Sequence, residues 1–588
     1  MIDPRLLLNR SHLCTFRVAA WFPRILSRHA RCACLGTVAI ALLWAAGSCR
    51  AAGMRLEPPV VISVDESQVF QTITGWEATF EAGQEECSGF DSYAAELFDR
   101  VVGDLGINRL RVQINSGAEN QTDYWMEMRQ GKIDRATWRG LRYATVNDNA
   151  DPNVIDPDGF QFAQLDESID RVVLPIKQRL EQAGRRLFVN LNYVAFTGSI
   201  AAGGQYIHDD PAEYAEFVLA TYLHLQSKYG WVPDAWEVIL EPDNIPEWNG
   251  TLIGQAIVAA AARLTQAGFQ PKFIAPSTTN MGNAVPYFDA LAQVPGALTY
   301  LTEISYHRYA GVSLANLQKI GQRAIQHGLN TAMLEHIGSD YRDLHQDLEV
   351  GRNSAWQQFT LAFCLAQDDG SAYYLVGGNP PVVEASRTRF LKHYFHYIHA
   401  GARRIGAQTT DQTFAPLAFT NPGGDQVVVV KADRGGSVTV AGLAPGRYRT
   451  SYTTASDSNV ESQDVIVGAG ESLQASIPAA GVLTVFTVPA MSTTTTMPAT
   501  TTSTTTTTTT SMSPTTTTMP VATCADPDGD GVTVSDALFV LQAAVGIRSC
   551  AACVCDADGS GKVSATDALV VLRVAVGAPV SLSCPPCA

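Results

Sequence analysis

The sequence predicts an α/β fold: a closed (β/α)8 TIM barrel with a β-sandwich side domain, followed by a small all-α module. Three observations predict it. Short apolar, β-like runs alternate with amphipathic stretches at helical spacing between residues 53 and 404. From residue 405 to 490 only β-like runs remain, separated by Gly, Pro and Asp turns. Beyond a threonine-rich stretch, one Asp/Gly pattern with a trailing apolar helix occurs twice. At 588 residues and 46% apolar content the chain has room for several domains and a large core. A net charge of −16 argues against nucleic acid or an anionic membrane as partner.

Residues 1–52 read as a leader. Arg24, Arg28 and Arg31 precede an apolar run at 35–46, and the small residues Gly47, Ser48, Ala51 and Ala52 follow. A basic flank, a short apolar core and a small-residue exit make a secretory signal, and the run is too short for a membrane span. The expected location is therefore extracellular, with cell-surface association through the tail.

The barrel strands are expected at 72–80, 109–114, 187–192, 235–240, 272–275, 303–307, 331–334 and 372–376. Helices are expected at 94–105, 214–229, 253–267, 314–327 and 355–366, where apolar residues recur at helical spacing. Strands alternating with helices favour a closed parallel barrel. The polar, turn-rich segment 115–162 follows the second strand and becomes a loop on the barrel's C-terminal face. Hairpins at 417–420, 426–431, 437–440, 448–453 and 482–488 build the side domain, to which residues 60–64 could add a strand.

Residues 491–520 are almost wholly threonine, with Ser, Pro and Met, and have no apolar surface to bury; they form a linker. The module spans 521–588. Of the twelve cysteines, four lie in the leader, Cys87 and Cys364 in the middle, and six in the tail. A dense, even set in an exported module reads as disulfides, with pairing undetermined.

Two glutamates follow apolar strand candidates: Glu241 in Trp-Glu-Val-Ile-Leu-Glu-Pro and Glu335 in Ala-Met-Leu-Glu-His. Barrels display reactive groups at the C-terminal ends of their strands, and these two end the fourth and the seventh. Two carboxyls in one cleft are what glycosidic cleavage needs, one holding a proton and the other ionised. Such a cleft takes a polysaccharide or oligosaccharide and needs no metal for catalysis. Arg111 is placed to hold Glu335 through its guanidinium fork. His307 and Tyr309, two apart on one strand, face the same way. Trp76, Tyr193, Trp248, Tyr373 and Tyr374 are candidate platforms for sugar rings.

The run from about residue 60 to 488 resembles the retaining glycoside hydrolases of clan A, family 30 in particular. The motifs are Gln71-Thr-Ile-Thr-Gly-Trp76, Leu105-Gly-Ile-Asn-Arg-Leu-Arg111, Leu240-Glu-Pro-Asp243, Ile304-Ser-Tyr-His-Arg-Tyr309, Met333-Leu-Glu335 and Phe395 to Ile405. The resemblance implies that Glu335 is the nucleophile and Glu241 the acid/base. It departs at Leu240, where the family carries an Asn that bonds the sugar 2-hydroxyl; Asn192, Asn244 or His307 could substitute.

In the tail, Asp526, Asp528, Asp530 and Asp536 form one calcium loop, one residue short. Asp556, Asp558, Ser560, Lys562 (through its carbonyl) and Asp567 form a second at positions one, three, five, seven and twelve. Two such loops, each with one helix, resemble dockerin modules. That resemblance implies structural Ca2+ and a cohesin-bearing scaffold or surface protein as partner.

Overall fold

The computed structural model describes residues 59–197, 206–364, 367–488, 523–527, 532–544, 548–575, 578 and 580–586. The leader, the threonine linker, Asp528 and Asp530 lie outside the described residues. The chain divides into two compact units, residues 1–492 and 493–588.

The first strand, β1 (Val60–Thr72), stays out of the barrel. Eight parallel strands close the barrel: β2 (Gly75–Ala82), β3 (Arg109–Asn115), β4 (Phe188–Val194), β5 (Ala235–Glu237), β6 (Phe273–Asn280), β7 (Leu301–Ala310), β8 (Asn330–Glu335) and β9 (Asn353–Trp356). Closure runs through Gly75 opposite Ala355 and Trp76 opposite Trp356. After Gln357 and Gln358 the chain resumes along β2 as β10 (Thr360–Phe363), and β11 (Ala372–Val376) and β12 (Val382–Glu384) extend that edge.

Two expectations are corrected here. Residues 355–366, expected as a helix, supply β9 and β10, and residues 372–376, expected as the eighth barrel strand, lie one strand outside it. Ala355, Trp356, Leu361 and Ala362 are all buried. A strand buried on both faces has no alternation, so its apolar run reads like a buried helix.

The helices Pro211–Tyr229, Gly250–Gln266 and Leu314–His327 fall where the periodicity puts them. Each starts on a side-chain cap: Asp210 accepts from Ala212 N, Asn249 from Leu252 N and Ser313 from Asn316 N. The helix expected at 94–105 begins earlier, as Phe90–Asp99, and ends through a wide turn, Arg100–Leu105, at Gly106. There φ is 98° and a Cβ would lie 2.4 Å from the Phe395 carbonyl, so only glycine fits.

The side domain is one continuous curled sheet, where two facing sheets are expected. It holds β13 (Arg403–Thr409), β14 (Phe414–Thr420), β15 (Gln426–Ala432), β16 (Gly436–Ala441), β17 (Gly446–Thr454), β18 (Val460–Glu461), β19 (Val465–Val467), β20 (Leu473–Ile477) and β21 (Gly481–Thr487). β1 completes it, antiparallel to β13 and parallel to β16. One face encloses a core of Ile62, Val428, Val430, Val440 and Leu483. The other presents Phe419, Val427, Val429 and Val482 to the barrel's core. The buried His393 ties the two, with its ring nitrogens 2.8 Å from Thr484 and Thr453 hydroxyls.

In the second unit, helices Val534–Ala544 and Ala565–Ala575 share a small core of Ala537, Val540, Val554, Ala568 and Val571. Disulfides join Cys524 to Cys584 and Cys550 to Cys555, and Cys553 is disulfide-bonded too. Cys87 joins Cys364 in the first unit. Among the described residues no helix is long and apolar enough to cross a membrane.

Candidate active site

β5 is short, and the chain leaves its ladder after Glu237. Its continuation is held by Leu240 N donating to Tyr193 O at 2.9 Å and Glu241 N donating to Ser277 O at 3.1 Å. Glu241 itself sits in the left-handed region at φ 50°, a conformation a non-glycine residue keeps only where its surroundings enforce it. Its carboxylate meets His307 Nδ1 at 3.0 Å and accepts from Asn244 Nδ2 at 3.1 Å.

Glu335 is the last residue of β8. Arg111 Nη1 donates to Oε2 at 2.7 Å and the Tyr309 hydroxyl to Oε1 at 3.0 Å. One carboxylate oxygen of Glu241, one of Glu335 and a ring nitrogen of His307 all lie within 4.8 Å of one another. Both carboxyls are about 95% buried. Burial pushes the Glu335 carboxyl up; His307 and Arg111 pull it back, and Glu241 adds to the push.

Beneath the pair lies a ladder of buried charge. Arg111 gives its other edge to Glu237, Nε at 2.8 Å and Nη2 at 2.5 Å. Asn190 Nδ2 donates to Glu237 at 2.9 Å and to Glu77 at 3.1 Å. Arg109 then joins Glu77 at 2.6 Å to both oxygens of Glu303 at 2.7 and 2.9 Å. Burial alone would raise Glu237, but the charge and hydrogen bonds of Arg111 overcome it and hold that carboxyl below its ordinary range. Glu77 stays raised by its burial. Glu77 and Glu303 are both buried and engaged by these contacts. Glu81 is buried at the end of β2 and pushed up to about 7 by that burial.

The structure thus brings Arg111, His307 and Tyr309 onto the two glutamates. Asn192 is fully buried, with both amide atoms lacking a hydrogen-bond partner among the described residues. The five expected sugar platforms are corrected to core residues, Tyr193 and Tyr374 among them, both fully buried. Trp76 stacks on Phe395 at 4.6 Å and donates to Ile398 O; Trp248 donates to the Tyr206 hydroxyl; Tyr373 donates to Glu77 O. Each is at most 2% exposed. Glu237 and Asn190 are not among the residues the sequence singles out. The one signal for Glu237 is a carboxylate inside an otherwise apolar run.

In the second unit, carboxylate oxygens of Asp556, Asp558 and Asp567 lie within 4.8 Å of one another. Gly561 N donates to Asp556 at 2.8 Å and Ser560 N to Asp556 and Asp558 at 2.9 Å each, wrapping the loop around them. The Ser560 hydroxyl bonds the Lys562 carbonyl at 3.2 Å. This oxygen-only set fits a hard divalent cation. In the first loop Asp526 and Asp536 are buried, and Asp536 accepts from Thr533 N at 2.7 Å.

No family model matches the chain, and no curated protein matches it. Solved structures do. A glycoside hydrolase family 30 endoxylanase from Clostridium papyrosolvens C71 aligns at 16% identity over 73% of this chain and 99% of that one, with a TM-score of 0.51. A conserved exported protein from Bacteroides fragilis aligns at 14% identity over 72% and 100%, with a TM-score of 0.52. An endo-β1,6-glucanase aligns at 14% identity over 73% and 95%, with a TM-score of 0.50. At these identities the likeness establishes the fold, a barrel with a side sheet.

Proposed function

We propose that the protein is a secreted, retaining β-glycoside hydrolase that cleaves polysaccharide by double displacement. The observation that carries this is the closeness of Glu241 and Glu335, with oxygens inside 4.8 Å at the ends of the fourth and seventh barrel strands. Retaining chemistry needs carboxyls roughly 5–5.5 Å apart, whereas direct attack by water needs roughly 6.5–9.5 Å.

Double displacement needs one carboxyl protonated and the other ionised, and two carboxyls this close disfavour double ionisation. The acid role falls to Glu241, because Arg111 and Tyr309 both donate to Glu335 and favour it as the attacking carboxylate. Glu335 attacks the anomeric carbon and Glu241 gives its proton to the departing oxygen. Glu241, now ionised and beside His307, takes a proton from the water that releases the glycosyl-enzyme. The named fold relatives point to xylan and β-glucans as first substrates.

We propose further that the C-terminal unit binds structural Ca2+ and docks to a cohesin-type partner. Its two helices expose leucines at equivalent positions, Leu538 and Leu541 on one and Leu569 and Leu572 on the other. Their repetition at matched positions supports the docking reading.

The test is reducing-sugar release from a panel of β-linked polysaccharides by wild type and Glu335→Gln. Release by wild type alone supports hydrolysis; equal release by both refutes the assigned nucleophile. Leu240 favours a second reading, a glycan-binding scaffold, since leucine cannot hydrogen-bond a sugar hydroxyl. Binding without turnover across the panel would establish that reading instead.

A further inference from the structure

Arg111 is shared between two carboxylates, and the division is unequal. Glu237 occupies its Nε and Nη2 edge through both oxygens, leaving Nη1 to reach Glu335. We propose that Glu237 is a positioning residue that fixes Arg111 and thereby sets the proton affinity of Glu335. This inference rests on the double-displacement reading.

Glu237 is fully buried at the end of β5 and four residues short of Glu241, so it lies below the substrate cleft. Its own pose is fixed by the Asn190 amide, which also reaches Glu77. A guanidinium engaged along its whole fork cannot turn, so its remaining N–H points at one place. That place is Glu335 Oε2, at 2.7 Å.

Other groups bear on the cluster from the neighbouring strands: His307 on β7 acts on both carboxyls, Ser277 on β6 bonds Glu237, Tyr309 and Glu241 face Glu335, and Glu77 on β2, itself held by Arg109 and near Glu303, faces Arg111 and Glu237. Arg111 hydrogen-bonds both Glu237 and Glu335. Glu237 therefore claims part of the positive charge that would otherwise stabilise ionised Glu335. The arrangement leaves Glu335 ionised less readily but its carboxylate firmly placed.

The test compares pH profiles of kcat/KM for full-length wild type, Glu237→Gln and Glu77→Gln. Glutamine keeps a carbonyl for Arg111 but removes the competing charge. The expected result is that Glu237→Gln moves the acid limb to lower pH by on the order of one unit. Glu77→Gln removes an equal charge without touching Arg111, and its limb moves by less than half as much. An unmoved limb in Glu237→Gln, or equal movement in both variants, overturns the proposal. If Glu237→Gln melts before assay, Glu237→Asp keeps the charge but slackens the grip; its limb moves the same way by a smaller step, and no movement again overturns the idea. A wild type that hydrolyses nothing sinks the hydrolase reading instead. In that event the pH dependence of Tm, compared across wild type, Glu237→Gln, Glu335→Gln and the double variant, still reports the titration of Glu335 and decides whether the two residues are coupled.

Discussion

Replacing Arg111 by methionine should be among the most destabilising single changes in the first unit, and acid should partly undo it. The change removes a buried guanidinium and leaves Glu237 and Glu335 without their shared partner. Stranding one member of a buried pair costs about 3–5 kcal/mol, and methionine replaces only the apolar stem. At roughly 2–4 °C per kcal/mol this is a fall in Tm on the order of 10 °C near neutral pH. The sign with pH follows from Glu237, whose folded value lies below its ordinary 4.5. In wild type its stabilisation is present above that value and is lost as pH falls through the folded one. In the variant, burial without Arg111 lifts the same carboxyl, so the variant gains relative stability as protons are added. The gap between the two proteins should therefore narrow from pH 7.5 to pH 5. Thermal unfolding followed by far-ultraviolet circular dichroism at both pH values measures it. A gap under about 1 kcal/mol, or one that does not change with pH, would refute the account of Arg111 as the charge clamp of the barrel.

Burial holds His345 and His393 down to about 3, so both stay neutral in the fold while the unfolded imidazoles protonate below 6.5. Stability should fall as pH drops from 6.5 towards 3, and His393→Gln should flatten that slope in a series of thermal melts. Trp248→Ala should lose about 3–5 kcal/mol by opening a cavity among Tyr193, Tyr214 and Tyr206, measurable by urea titration. Glu241→Gln should cost orders of magnitude in kcat on natural glycosides yet far less on aryl glycosides whose leaving group departs unprotonated; equal losses on both would remove Glu241 from the acid role. Chelating calcium, or Asp567→Ala, should melt the second unit and leave the first unit's Tm unchanged, a contrast that calorimetry resolves.

Much of the fold was legible in the sequence because periodicity reports faces. The helices 211–229, 250–266 and 314–327 each bury one stripe, and β14 to β17 and β21 sit between turn residues that mark their ends, whereas β13 and β18 to β20 lie outside the runs the sequence marks. Legibility failed where burial is complete. Residues 353–363 have no exposed face to set a period, since even Asn353, Ser354, Gln357, Gln358 and Thr360 are buried, so strand and helix look alike there. The same limit governs the aromatics, since an indole in the core and one under a sugar differ in their surroundings, which local sequence does not state. Glu241 and Glu335 stood out because each closes an apolar run. Glu237 did not, because the arginine that explains it lies 126 residues earlier and meets it only through the closed barrel.

The placement of β1 bears on how this protein can be cut. The polypeptide enters the barrel from one strand of the side sheet and returns to the adjoining strand, since β1 and β13 pair along Ile62 to Thr72. A fragment made by stopping at residue 404 would therefore carry β1 with its neighbours β13 and β16 deleted, and would expose a bare hydrogen-bonding edge of valines and isoleucine. During synthesis the same strand waits, unpaired, until more than three hundred residues have followed it. Reporter fusions and expression trials should treat residues 59 to 488 as a single indivisible piece, with the seam placed in the threonine tract.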